Sequence, residues 1–236
     1  MLRYASGTRP IYCGGMRANY REQLDTISAE LIEMSNLVGT AMALATQSLL
    51  DADISLAEQV INNDEAVDHL NQELEDKCFN VTALQQPVAT DLRTTMSGLR
   101  ISASLERMGD LAAHVAKQAR LRYPNQSVPA ELRATFARLG SLCQEVVAKV
   151  AAVIETRDVT LAADIRRYDD EIDRLHRELF TVVLSPTWSH GVEAAIDVTL
   201  LSRYYERFAD HGVTISRRVI HIVTGEPYGT IDTDSL

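Results

Sequence analysis

Four pairs of acidic residues, each pair one helical turn apart, recur at corresponding places in the two halves of this 236-residue sequence. They are Asp64/Asp68 and Glu106/Asp110, then Asp169/Asp173 and Glu206/Asp210. Like charges at this spacing repel, at a cost of roughly 0.2–0.5 kcal/mol per exposed pair. A solvated helix face explains one isolated pair, but the same arrangement occurring twice points to a use. Carboxylates gathered from neighbouring helices would raise one another's pKa values, and a bound cation relieves that repulsion. All-oxygen donor sets suit hard or borderline ions such as Mg, Mn or Fe rather than thiolate-type zinc. His114, four residues after Asp110, and His211, directly after Asp210, are possible additional ligands. Arg107 and Arg207 follow the acids and offer the alternative of simple ion pairing, while Asp170 and Glu171 are alternative ligands beside Asp169.

The elements that must carry these residues emerge from an internal repeat. A shift of 105 residues superposes Asp53 on Asp158, Leu56 on Leu161, Asp64 on Asp169, Asp68 on Asp173 and Glu73-Leu74 on Glu178-Leu179. It also relates two apolar seams of 3-4 spacing. One is Leu24, Ile27, Leu31, Met34, Val38, Ala41 and Ala45; the other is Leu132, Phe136, Leu139, Cys143, Val146 and Val150. Such seams mark helices packed at shallow angles. A shift of 100 aligns Leu105-Glu-Arg-Met-Gly-Asp110 with Tyr205-Glu-Arg-Phe-Ala-Asp210. Each half therefore holds three long helices, and the fold class is all-α, two tandem three-helix bundles. A Ser55/Glu58 capping box would open the second helix, Pro87 precedes the third, Pro129 opens the fourth, Pro186 precedes the sixth, and Gly225 ends it.

The boundaries read as a disordered extension over residues 1–15, a first bundle over 16–124, a second over 125–225, and a disordered tail over 226–236. A short polar linker falls near Pro124–Val128. On the third helix Ile101, Leu105, Met108, Ala112 and Val115 form the apolar stripe. On the sixth, Leu201, Tyr205, Phe208, Gly212, Ile215 and Val219 do the same. The acid pairs of these two helices lie roughly 140–180° from their stripes. Met34, Met96 and Met108 read as core fillers, and Tyr204, Tyr205 and Trp188 as packing or interface residues.

Composition narrows the classes. With 46% apolar and 24% charged residues the chain is an ordinary globular one. A net charge of −10 excludes nucleic acid as the main partner, since phosphate backbones need a basic face. Cys13, Cys78 and Cys143 form no CxxC pair and read as reduced thiols of a cytoplasmic protein. No stretch reaches the ~18 unbroken apolar residues of a membrane span, and residues 1–15 lack the apolar core of a signal peptide.

At Gln86-Pro87-Val88-Ala89 with Asp91-Leu92-Arg93, and at the two helix motifs ending in Asp110 and in Asp210-His211, the chain resembles the PhoU family. These are accessory regulators of bacterial phosphate uptake, and the likeness is to the actinobacterial members, over about Met16 to Gly225. The resemblance implies two bundles related by pseudo-twofold symmetry, with multinuclear metal clusters, iron or zinc foremost, on the acid-bearing surfaces. Its metal candidates are Asp64, Asp68, Glu106 and Asp110 in one half, and Asp169, Asp173, Glu206 and Asp210 in the other. It further implies a protein that represses the phosphate-starvation response, linking the ATPase subunit of a phosphate ABC transporter to a sensor histidine kinase; the symmetric repeat itself suits a homodimer. Membrane association would come only through those partners. One departure from exact repetition is Ala209 where the first motif has Gly109.

Two other classes compete. A ferritin-like metalloprotein needs Glu-x-x-His on two helices, and no Glu here has His three positions on. A purely structural dimerisation module would leave the acid pairs empty. No nucleophile, base and oxyanion-stabilising set occurs together, so an enzyme is not expected.

Overall fold

The structure, a computed structural model, describes residues 13–231, with side chains from residue 20 onward. Six long helices form it: α1 (Cys13–Asp51), α2 (Ile54–Gln85), α3 (Ala89–Arg122), α4 (Arg133–Thr156), α5 (Val159–Val183) and α6 (Gly191–Thr224). Two short 3₁₀ turns, Ala130–Leu132 and Tyr228–Thr230, are the remaining elements, and the described residues include no strand. The all-α class and the count of three helices per half are as the periodicity predicts.

The helix starts show how local chemistry sets the repeat. Asp53 caps α2, its carboxylate accepting the amides of Ser55 and Leu56. Asp158, its counterpart 105 residues on, accepts those of Thr160 and Leu161 at the start of α5. The expected Ser55/Glu58 box does not form, because α2 already begins at Ile54 and places Ser55 inside the first turn. An aspartate in extended backbone just ahead of the helix reaches two of the orphan amides at once. Gly225 ends α6 as predicted, with φ 75° and its amide on the His221 carbonyl.

The two halves, consecutive in the chain, lie side by side. Near one end of the molecule Arg133 of α4 donates to the Leu50 carbonyl of α1. Further along, Gly140 faces Thr46 and Gly39 faces Val147, so α1 and α4 run antiparallel. α3 and α6 are antiparallel too, from Arg122 against Asp197 at one end to Arg93 against the Ile222 carbonyl at the other. These contacts are as extensive as those inside each half, and the buried side chains make one continuous core. Of the expected polar linker, Pro124, Asn125 and Gln126 are exposed, while Ser127 and Val128 are packed into the molecule, 4% and 1% exposed.

The seams predicted from sequence fill that core. Met34, Val38, Phe136, Leu139, Leu105, Met108, Tyr205 and Phe208 are all fully buried. Tyr205 joins the halves directly, sharing a 2.9 Å hydrogen bond with Thr46 and packing edge-on to Phe136. Met96 is the exception among the expected core methionines, 45% exposed near the start of α3. Of the expected extension, Cys13–Gly15 is helical, and residues 1–12 lie outside the described residues. The tail expected to be disordered from Glu226 instead turns back at Tyr228–Thr230. The Tyr228 ring sits 3.6 Å from the Arg218 guanidinium, and Ile231 is buried; residues 232–236 lie outside the described residues.

Candidate metal centres

Packing α2 against α3, and α5 against α6, brings the acid pairs together two by two. In the first half Asp110 and Asp68 both act on Asp64, and Glu106 feels Asp110, Asp68 and Asp64. Burial raises the pKa of Asp64 and of Glu106, and the neighbouring carboxylates push the same way. Gly109 sits at the contact. A Cβ there would stand 3.2 Å from Val67 Cγ1 and 3.4 Å from the Asp64 carboxylate. The missing side chain therefore lets α2 approach α3 at the level of the acids.

In the second half Asp169 meets Asp173 and Asp210, and Glu206 meets Asp210 and Asp173. Burial pushes Asp169 up to about 7, with Asp173 next in effect. Asp169 is only 7% exposed, and the Glu206 side chain 12%. That contradicts a simple solvated face opposite the apolar stripe. The reason is tertiary: α5 covers the side of α6 that a lone helix would leave to water.

The competing arginines are engaged with these acids. Arg107 holds Asp110 at 2.8 Å and Glu106 at 3.3 Å, Arg207 holds Asp210 at 3.5 Å, and Arg203 pairs with Glu206. The Arg203–Glu206 pair stands at readable i,i+3 spacing. Asp170 and Glu171, the alternative ligands, are turned elsewhere. Arg166 takes Asp170, and Arg138 grips Glu171 with two 3.0 Å bonds. His114 directs Nδ1 to the Asp110 carbonyl at 2.7 Å and stacks near Tyr204. His211 is half-buried, and its pKa is lowered by burial and by Arg207.

Among the described residues, no group of three or more His, Cys, Asp or Glu side chains is arranged to hold a metal ion. The donor chemistry of the second half nevertheless fits a cation. Asp169 Oδ1 and Glu206 Oε2 are buried with no hydrogen-bond partner, and buried carboxylate oxygens ordinarily have one. In both halves arginines lean on the same acids, Arg107 on Glu106 and Asp110, Arg203 on Glu206 and Arg207 on Asp210, so ligation requires them to yield.

Outside the clusters the structure adds residues that spacing does not reveal. Asp197, 4% exposed, accepts from Arg122 at 2.7 and 3.0 Å and from Gln118 at 2.6 Å, tying α6 to α3. The partners are 75 and 79 residues apart, so only the fold brings them together. Cys78 and Cys143 are free and buried thiols. No helix among the described residues is long and apolar enough to cross a membrane.

Comparison with known proteins places this architecture. The PhoU domain profile matches twice, over residues 31–119 and 136–219. The chain belongs to the PhoU family. It is 50% identical over 210 residues to the phosphate-specific transport system accessory protein PhoU homolog 2 of Mycobacterium tuberculosis, covering 89% of this chain and 99% of that one. The PhoU homolog 1 of Mycobacterium leprae is 49% identical, with 89% and 95% covered. The crystal structure of PhoU from Pseudomonas aeruginosa superposes with a TM-score of 0.77 at 27% identity, covering 87% of this chain and 99% of that chain. The phosphate transport system regulatory protein PhoU from Streptococcus pneumoniae gives 0.79 at 25%, covering 90% and 99%. Both PhoU domain matches contain their half's full carboxylate set.

Proposed function

We propose that this protein is a non-catalytic regulator of phosphate uptake that restrains the phosphate-starvation response when phosphate is plentiful. In this reading it works in the cytoplasm as a homodimer, linking the ATPase subunit of a phosphate ABC transporter to a sensor histidine kinase. The observation that carries it is the match of both repeats to the PhoU domain across nearly the whole chain, joined to relatives named as phosphate-specific transport system accessory proteins.

Exposed apolar residues support a docking role. Leu84, Val88, Leu92 and Met96 cluster where α2 turns into α3. Leu184, Val192, Ile196 and Leu200 cluster where α5 turns into α6, at the opposite end. Contiguous apolar surface of this kind marks interaction sites in soluble proteins.

The metal reading rests on the same carboxylates. Asp64, Asp68, Glu106 and Asp110 would hold one cluster, and Asp169, Asp173, Glu206 and Asp210 the other, with His114 and His211 as possible additions. Iron or zinc is the first choice, with Mn or Mg as alternatives. A bound cation would supply positive charge that cancels the carboxylate repulsion and ties α2 to α3 and α5 to α6. Asp169 and Glu206 would contribute the oxygens that have no donor within the protein.

Pull-down of the ATPase subunit and the kinase at high phosphate tests the regulatory reading. Capture of either supports it, and capture of neither counts against it. Elemental analysis of purified protein tests the metal reading separately. Protein that carries no metal and takes none up refutes it.

A further inference from the structure

Outside the carboxylate clusters, a cavity of about 630 Å³ lies where the end of α3, the start of α4 and the start of α6 meet. Its volume lies within the ~300–1,000 Å³ usual for small-molecule sites. Two guanidinium groups and an imidazole converge on it, from Arg122, Arg133 and His190.

The two arginines are built into the wall. Asp197, itself part of the cavity lining, holds Arg122 through two hydrogen bonds. Arg133 is fixed by the Leu50 carbonyl and by Gln126 at 2.6 Å, with Asp51 only at 3.5 Å. Its charge is therefore met mainly by neutral groups. The other two carboxylates of the lining are different in kind. Glu193 pairs with Arg122 and Glu131 with His190, but their side chains are 75% and 55% exposed. Exposed pairs of this sort are worth about 0–1 kcal/mol, so a better anion displaces them cheaply. Phosphate is such an anion, because the guanidinium fork matches its oxygens in bidentate geometry. Pro129, Ala130 and Ala194, which are not buried, bring apolar surface beside the charges.

We propose that this cavity binds an organic phosphate of nucleotide size. Its phosphate would displace Glu193 from Arg122 and Glu131 from His190 and engage Arg133 beside them, and its organic part would lie along Pro129, Ala130 and Ala194. Arg122 with Asp197 joins α3 to α6, and Arg133 with Leu50 joins α4 to α1, so an occupant would brace the two halves against each other. The site is remote from the acid clusters and stands whether or not they hold metal.

The protein carries its own reporter. Trp188 is the single tryptophan, and its ring centre lies 4.8 Å from that of His190. Full-length protein is titrated with AMP, ATP and orthophosphate, followed by Trp188 fluorescence and calorimetry. A nucleotide is expected to give a saturable signal, with orthophosphate weaker. Arg133→Gln is expected to weaken nucleotide binding about tenfold or more, and Glu193→Gln to tighten it several-fold by removing the competing carboxylate. Should Arg133→Gln fail to fold, the exposed Glu193 substitution still decides the matter. Silence from every probe up to ~10 mM, where a millimolar ligand is mostly bound, overturns the proposal. Equal nucleotide affinity in parent and variants also overturns it, as does orthophosphate binding as tightly as the nucleotides.

Discussion

Asp169→Asn is expected to stabilise the metal-free protein, and to do so most above pH 7. Asp169 is 7% exposed, has an oxygen without a partner, and faces Asp173 and Asp210. Its pKa moves from 3.8 to about 7 on folding, so the folded state binds the proton about a thousandfold more tightly. That is worth roughly 4 kcal/mol at most. A raised carboxylate pKa means the charged form opposes folding. The cost is full above pH 7, shrinks as pH falls through the folded pKa, and vanishes below the unfolded value near 4. Local relaxation and water reduce the figure, leaving about 2 kcal/mol for the neutral amide at pH 8. For a chain of this length that corresponds to a melting point higher by roughly 4–8 °C. The assay is thermal unfolding of chelator-treated parent and variant from pH 8 to pH 5. Taking the difference between them cancels the opposing contribution of His176 and His211, whose pKa values burial lowers. A variant that melts at or below the parent at pH 8, or an advantage that grows as pH falls, refutes the reasoning. Added divalent metal should raise the parent's melting point by more than the variant's, which keeps only the first-half carboxylate set complete.

Two further outcomes follow from the packing. Asp53→Ala removes the acceptor of two amides at the start of α2 and should lower stability by about 1 kcal/mol. It would be read as a lower urea midpoint at unchanged slope, and Ser55→Ala should do far less. Gly140→Ala puts a Cβ 2.5 Å from Thr46 Cγ2 and 2.7 Å from Thr46 Oγ1. Overpacking of roughly 1–3 kcal/mol outweighs the ~1 kcal/mol that alanine gains in a helix. The net loss should be recovered in part by adding Thr46→Ala, measured as a double-mutant cycle.

Much of the candidate site was legible because its rules are local. Spacing of three and four along α3 and α6 fixes the stripe that turns inward, and the acids one turn apart follow on another face. The Arg107 and Arg207 pairings were legible for the same reason. The burial of Glu206 and Asp169 was not, since it depends on α5 lying against α6. Gly140 and Gly109 look alike in the sequence. The first faces a Cβ clash at 2.5 Å, and the second a contact at 3.2 Å that Val67 can relieve by a small shift. Asp53 was as readable as Ser55, but the Ser55-x-x-Glu58 pattern points two residues too far along. Met96 was misplaced because apolar character states a preference for burial, while position in the fold decides whether a neighbour is present to cover it.

The sequence by itself determined six helices, their duplication, and four carboxylate pairs set on repeat-related turns, because helical periodicity and repetition act over a few residues at a time. The tertiary structure decided that the halves fuse through α1 on α4 and α3 on α6. It also decided that Asp197 clasps Arg122 beside a cavity, and that buried oxygens of Asp169 and Glu206 lack partners. Those outcomes depend on desolvation and on contacts between residues far apart in the chain, and no local spacing encodes either.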